Sequence, residues 1–345
     1  MLPSTSGIPS SPYRDLIRLA TLAPSGHNTQ PWFFTQGDRC IHLHPDHSRR
    51  LPVVDPDDHA LWISLGCALE NLAIAARCAG FSPRIQPQLT TEHPVLSVYL
   101  EPSDTPPSPI DLALQDAMSQ RQSTRCAYDP RDIPADHLQR LIQASQQAGI
   151  QVRLFSTPDA MEPFITWVRE GNRQQFSDRA FVEELMQWIR FSRREVQRHQ
   201  DGIPSRAIGM PYVPRWLGKR LMTWFATPQS QAQQFEQRIH QSSALLLFIA
   251  DHHDRPHWVN LGRSFQRVAL TATSLDLKHA HLNMPCEVLS VRSQMQQHFG
   301  LEDAQPLLLI RLGYANALPR APRRSLDAVI QARAMDDPAP SSPSE

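Results

Sequence analysis

The chain lacks the markers that most often give a function away. Its 345 residues hold no C-x-x-C pair, and the five cysteines (Cys40, Cys67, Cys78, Cys126, Cys286) form an odd, unpatterned set. That usage speaks against a disulfide framework and a cysteine-rich structural zinc site, and fits reduced thiols in a cytoplasm. Net charge is also missing, since Lys plus Arg equals Asp plus Glu at 34 each. No global field therefore draws the chain to nucleic acid or to an anionic membrane. No apolar run is expected to reach the roughly 20 residues that span a bilayer. The start, "MLPSTSGIPSSPYRD", has neither a basic cluster nor an apolar stretch, so no secretory signal is expected. Neither G-x-G-x-x-G nor a P-loop occurs, which leaves a Rossmann or nucleoside-triphosphate fold without support. The expectation is a soluble, cytoplasmic protein with small-molecule partners, not nucleic acid or membrane.

What is present is enough for a packed core, with 41% hydrophobic residues. Two long helices stand out. Between Asp57 and Gly80, Leu61, Leu65, Leu69, Leu72 and Ala76 share one stripe, with Asp57 or Asp58 placed to cap the start and Gly80 the end. Between His257 and His279, Leu261, Phe265, Val268, Ala272 and Leu275 repeat that spacing. Apolar runs at 95–100, 150–155, 244–250 and 306–315 predict strands. The Pro/Ser-rich stretch 101–111 marks a boundary between two halves. The halves repeat in element order, not in letters. An Arg/Trp-rich excess at about 157–240 reads as an amphipathic helical insertion, arginines outward and tryptophans inward, rather than a nucleic-acid surface. The tail "DDPAPSSPSE" is expected to be disordered.

The most conspicuous string is "CIHLHPDHSRR", residues 40–50, which contains H-x-H-x-D-H. Such a string suits a dinuclear metal site that activates water, provided that further His and Asp ligands arrive from elsewhere. Here Cys40, His42 and His44 alternate along one short strand and Pro45-Asp46 reads as a turn. Arg49 and Arg50 would crowd a dication. The string reads as a connector, and no metal ligands are assigned.

Four separated pieces carry more. "LATLAPSGHNTQPWFF" places a helix end before the polar turn Pro24-Ser25-Gly26-His27-Asn28, whose amides can approach the edge of a ligand. "RQSTR" sets Arg121 and Arg125 around Ser123 at helical spacing, a grouping that suits phosphate. "NMPCEVLS" is an extended bend with Pro285, Glu287 and Val288, and "APRRS" puts Arg323 and Arg324 beyond the last strand.

In order, these pieces resemble the nitroreductase family of FMN-dependent flavoproteins, through its P-S-x-x-N-x-Q-P-W, R-x-S-x-R and P-x-E segments and its late basic residues. In ordinary members R-x-S-x-R opens the chain; here "PSGHNTQPW" comes about ninety residues before "RQSTR". That order resembles the long, pseudo-dimeric Acg-like branch. The resemblance implies an α+β fold with a central, mostly antiparallel sheet flanked by helices, and two fused halves imitating the usual homodimer. It divides the chain into a flexible start (1–15), a first half (16–108), a second half (109–330) with the insertion as a possible lid, and a tail (331–345). It implies FMN as cofactor and NAD(P)H as donor, with a nitroaromatic, quinone or similar small-molecule acceptor. Pro24, Ser25, Gly26 and Asn28 would come to the cofactor from the first half. Arg121, Ser123, Arg125, Pro285, Glu287, Arg323 and Arg324 would come from the second, with Glu287 and Val288 near the flavin N5. No protein nucleophile is required. The alternatives are a non-catalytic protein that sequesters flavin beneath a lid and, more weakly, a metal-dependent hydrolase built on "HLHPDH". The fused chain could act as a monomer.

Overall fold

A computed structural model describes residues 12–90, 92–225 and 227–332. The first part runs α1 (Pro12–Ala20), β1 (Trp32–Gly37), β2 (Cys40–Pro45), α2 (His59–Cys78), β3 (Phe81–Gln88) and β4 (Val95–Pro102). Two helices follow, α3 (Pro109–Met118) and α4 (Ala135–Ala144), before β5 (Ile150–Phe155). The insertion holds α5 (Pro158–Ser177), α6 (Arg179–Trp188), β6 (Ile189–Arg190), α7 (Arg193–His199), β7 (Ile203–Pro204), α8 (Arg215–Phe225) and α9 (Pro228–His240). The chain then returns through β8 (Ala244–Ala250), α10 (Arg255–Ser274), β9 (Lys278–His281), α11 (Met284–Glu287), α12 (Leu289–His298), β10 (Gln305–Gly313) and α13 (Leu326–Val329).

The architecture is α+β. In place of one central sheet there are two four-stranded antiparallel sheets, ordered β1-β2-β4-β3 and β5-β8-β10-β9. Each sheet follows the same path: an edge strand, its antiparallel partner, a long helix, the opposite edge, then the second inner strand. The two halves are topological copies, and one apolar core runs through both.

The repeat is also written in letters, contrary to the expectation from sequence. At a constant offset of 196 residues, W-I-S-L-G (Trp62–Gly66) is matched by W-V-N-L-G (Trp258–Gly262). The helices α2 and α10 have the same length and start at the same offset. They cross at the two glycines. A Cβ on Gly66 would strike the Val259 carbonyl, and one on Gly262 would strike the Ile63 carbonyl. Each methyl group would also lie 3.0 Å from the opposing glycine Cα. The contact is reciprocal, so a local two-fold axis passes between the helices. Fully burying a leucine, as at Leu65 and Leu261, contributes roughly 1.5–3 kcal/mol.

Several sequence expectations shift. The helix after β8 stops at Ser274, because Lys278–His281 pairs with β10 as an edge strand. Gly80, at φ +81°, follows α2 as expected. Of the two expected caps, Asp58 makes no side-chain bond to the helix, whereas Asp57 accepts from the His59 amide at 3.3 Å, and Asp55 accepts from the Ala60 and Leu61 amides at 3.0 and 2.9 Å. The helix α2 is apolar and long enough to cross a bilayer by composition, yet it is the buried core helix of its half. The helix α1 begins at Pro12, so residues 12–15 are helical rather than a flexible start. The tail expectation falls outside the described residues beyond position 332.

Candidate functional site

The turn after α1 is built by backbone that few side chains tolerate. His27, Asn28 and Gln30 all have positive φ (46°, 55° and 54°), and the Ser25 hydroxyl accepts from the Gln30 amide at 2.9 Å. The insertion grips this turn. Asn28 donates its Nδ2 to the Gly202 carbonyl at 2.9 Å while its own carbonyl accepts from the Gly202 amide at 3.1 Å. Glu184 of α6, buried, accepts from the Val53 and Val54 amides at 3.0 Å each. Arg49 and Arg190 converge on Asp201.

Between the halves and beneath the insertion lies a cavity of about 840 Å³. The turn residues Pro24, Ser25, Gly26 and Asn28 line it from the first half. From the second half come Arg121, Ser123, Arg125, Glu287 and Arg323. Pro285, Val288 and Arg324 are not part of this wall. Val288 lines a smaller neighbouring cavity that shares Glu287, and Arg324 donates to the Gln30, Trp32 and Ala328 carbonyls. The Pro285 backbone is pressed against Gly171 of α5.

Local structure departs from expectation at two of the four pieces. "RQSTR" is extended, not helical, because Thr124 donates its amide to the His279 carbonyl at 2.8 Å, alongside β9. The bend at "NMPCEVLS" is the short helix α11 followed by α12. Glu287 ends α11, where Gln175 Nε2 donates to it at 2.6 Å and Asn283 Nδ2 at 3.2 Å. Burial pushes its carboxyl pKa up despite those donors.

The cavity wall is mostly cationic, with Arg121, Arg125, Arg238, Arg320 and Arg323 against two carboxylates, Asp55 and Glu287. Burial lowers the Arg121 pKa to about 10, and the groups acting on it are Cys67, Arg320 and Arg125. Arg125 is lowered by burial with Arg311 adding to the effect, and Arg238 of α9 is lowered to about 10 by burial and by Arg311 and Arg125. All remain cations at neutral pH. Among the described residues neither the Arg125 nor the Arg238 guanidinium makes a hydrogen bond or ion pair, although that of Arg238 lies 5.1 Å from the centroid of the Phe235 ring. Arg121 Nε is buried without a partner. The nearby imidazoles are neutral: burial and Arg125 bring His27 to about 4 and His281 to about 3.

Arg323 is different. It donates to the carbonyls of Thr21 (2.9 Å), Leu22 and Ala23 (3.1 Å each) and to Asn28 Oδ1 (3.0 Å). Its guanidinium closes the C-terminal end of α1 rather than pointing freely into the cavity.

The wall also holds residues that sequence reasoning missed. Arg238 sits just before β8 in no recognisable motif. Asn172, Gln175, Phe176, Phe181 and Met222 come from the insertion. Residues of the insertion line the cavity, and its faces are mixed: most of its arginines are exposed and Trp167 is buried, as expected, but Arg190 is buried and Trp216 and Trp224 are 69% and 59% exposed.

The histidine string is a connector. His42 Nδ1 lies 2.8 Å from Ser97 Oγ, and His44 Nε2 lies 3.0 Å from Thr35 Oγ1 while its ring stacks on Phe33. Asp46 accepts from the Ser48 amide. His42 and His44 are half-buried, whereas His47 is exposed. The "DHHDRPH" loop does not join it. His253 pairs with Asp57 at 2.8 Å, and Asp254 caps α10. Among the described residues, Asp55, Asp57 and His59 form a group with metal-ligand spacing, but His59 Nδ1 already faces both carboxylates.

Residues 118–314 match the model of the Nitroreductase family. A Mycobacterium tuberculosis protein whose name proposes an NAD(P)H nitroreductase, Rv3131, is 25% identical over 92% of this chain and 90% of its own length. A second such protein of that organism, acg, is 24% identical over 94% of this chain and 96% of its own. Among solved structures, the FMN-dependent nitroreductase NfnB from Mycobacterium smegmatis in complex with NADPH is similar with a TM-score of 0.42. It is 14% identical, over 64% of this chain and 97% of that one.

Proposed function

Because this chain belongs to the nitroreductase family, we propose that it is an FMN-binding oxidoreductase that carries reducing equivalents from NAD(P)H to a small-molecule acceptor, a nitroaromatic or quinone. The observation that supports this reading most is a set of guanidinium groups without a carboxylate partner in one cavity wall, Arg121 buried and Arg125 and Arg238 half-buried. Partly desolvated cations without a carboxylate partner are costly unless an anion completes them, and a phosphate with an apolar ring system suits both the charge and the size of the site.

In this proposal residues 16–108 and 109–330 act as two halves that meet at the ligand, with 157–240 as its cover. When bound, FMN would supply the hydride chemistry. The residues of the chain bind, orient and exclude water. Arg125, Arg238 and Ser123 hold the anionic end. The Pro24–Asn28 turn, fixed by Gly202 and Arg323, sets the opposite wall. Apolar side chains of the insertion, such as Phe176, Phe181 and Met222, keep the cavity dry. Glu287, held by Gln175 and Asn283, keeps a proton more readily than an exposed carboxylate would.

The purified protein should carry a flavin absorbance spectrum that bleaches anaerobically with excess NAD(P)H and returns on adding acceptor. A colourless protein would overturn the assignment. A second reading, flavin storage without turnover, is favoured by the insertion lying across the cavity. Flavin that stays oxidised under excess nicotinamide would select it.

A further inference from the structure

We propose that the helix α8, with the basic segment leading to it, docks this protein onto an anionic lipid surface. The zero net charge of the chain conceals a local excess. Between residues 189 and 225 there are eight arginines and lysines against two acids, Glu195 and Asp201. Both acids are engaged within the segment, Asp201 by Arg190 and Glu195 by Arg215. The remaining cations (Arg193, Arg194, Arg198, Arg206, Lys219, Arg220) are all exposed.

The helix divides this charge from an apolar interior. Its inner side packs Gly218 on the Phe191 ring and sends Leu221 and Met222 to the cavity wall. Its outer side carries Trp216, Arg220 and Trp224, spaced four residues apart and so on one stripe. The two indoles are the exposed large aromatic side chains among the described residues. Indoles flanked by arginine and lysine match the boundary between headgroups and acyl chains, where the ring is half-solvated and the cation meets lipid phosphate.

A basic surface with tryptophans also raises nucleic acid as a partner. Base stacking needs a free ring face, and the Arg220 guanidinium lies 4.6 Å from the centroid of the Trp224 ring, covering one side. Lipid needs only the indole edge and body, so lipid is the better match. Docking there would bring the roof of the cavity to the lipid boundary, next to lipophilic acceptors. The docking itself does not depend on the flavin reading.

Co-sedimentation of the full chain with vesicles tests it. Binding is expected to phosphatidylcholine vesicles containing about a third phosphatidylglycerol, weak binding to phosphatidylcholine alone, and release by roughly 0.5 M salt. The double variant Trp216→Ser, Trp224→Ser should lower the bound fraction about tenfold, with an unchanged circular dichroism spectrum and melting temperature. Arg220→Glu should weaken binding while both indoles are kept. Failure to sediment with anionic vesicles, sedimentation unaffected by these variants, or single-stranded DNA outcompeting the vesicles would each overturn the proposal.

Discussion

Gly66 and Gly262 meet back to back, each pressed against the carbonyl three residues before the other. No other residue fits there, because the obstacle is backbone and cannot rotate away. Gly66→Ala and Gly262→Ala should each destabilise the protein by about 1–3 kcal/mol or more. The double variant should cost less than the sum, since either methyl group alone already spreads the same crossing. Urea denaturation of the three variants checks both statements.

Arg125→Ala and Arg238→Ala should each weaken FMN binding by about 1.5–3 kcal/mol, roughly ten- to a hundredfold. The flavin-free protein should be no less stable, because each substitution removes a half-buried cation that has no carboxylate partner. Fluorescence titration of flavin, set beside denaturation of the apoprotein, separates the two effects. Unchanged affinity in both variants would remove them from the phosphate end.

Arg323→Ala should behave in the opposite way. It strips donors from the Thr21, Leu22 and Ala23 carbonyls and from Asn28, so the apoprotein itself should lose about 1–3 kcal/mol. A thermal melt without flavin is the measurement.

His59 gives a pH signature. Burial alone would lower its pKa, but the hydrogen bonds and charges of Asp55 and Asp57 outweigh it and raise it to about 9. The unfolded value is about 6.5. A raised folded-state pKa stabilises fully below the unfolded value, so this contribution is present below about pH 6.5 and lost as pH rises through about 9. His59→Phe should flatten that decline. Denaturation midpoints at several pH values between 6 and 10, wild type against variant, would show it.

His44→Ala removes a ring stacked on Phe33 and should cost about 0.5–1.5 kcal/mol of stability. Flavin content should not change, and chelator treatment should have no effect on it. A loss of flavin or of activity on chelation would reopen the metal reading.

Much of the fold was legible where one physical rule dominates. The strand Ala244–Ala250 is a continuous apolar run, and Gln305–Gly313 is one from Pro306 to Ile310, because both are inner strands. The helices α2 and α10 show their stripes because each packs on a sheet and on the other helix. The strand Phe81–Gln88 was hidden by Pro83 and Pro87, which an edge strand tolerates. "RQSTR" has the spacing of a helix, yet pairing with His279 pulls it straight, and that partner lies more than 150 residues away. The candidate site was half legible. Short motifs pointed to Arg121, Ser123 and Arg125, which share the cavity, but Arg238 reaches it only through the packing of α9. Arg323 and Asn28 were found by pattern, but their hydrogen bonds to backbone could be seen only in three dimensions.

The glycine crossing also shows what covalent fusion makes possible. Across the axis of a true homodimer, every side chain must tolerate its own image. Here Glu70 and its counterpart at the 196-residue offset, Gln266, differ: Glu70 receives Arg263 and Arg267, while Gln266 donates to Asn71 at 2.6 Å. The seam has thus become directional, with one half supplying the acid and the other the bases. With the halves tethered, the ligand site proposed between them would not be lost by dilution. Flavin bound per chain should therefore follow free flavin alone and stay constant as the protein concentration falls.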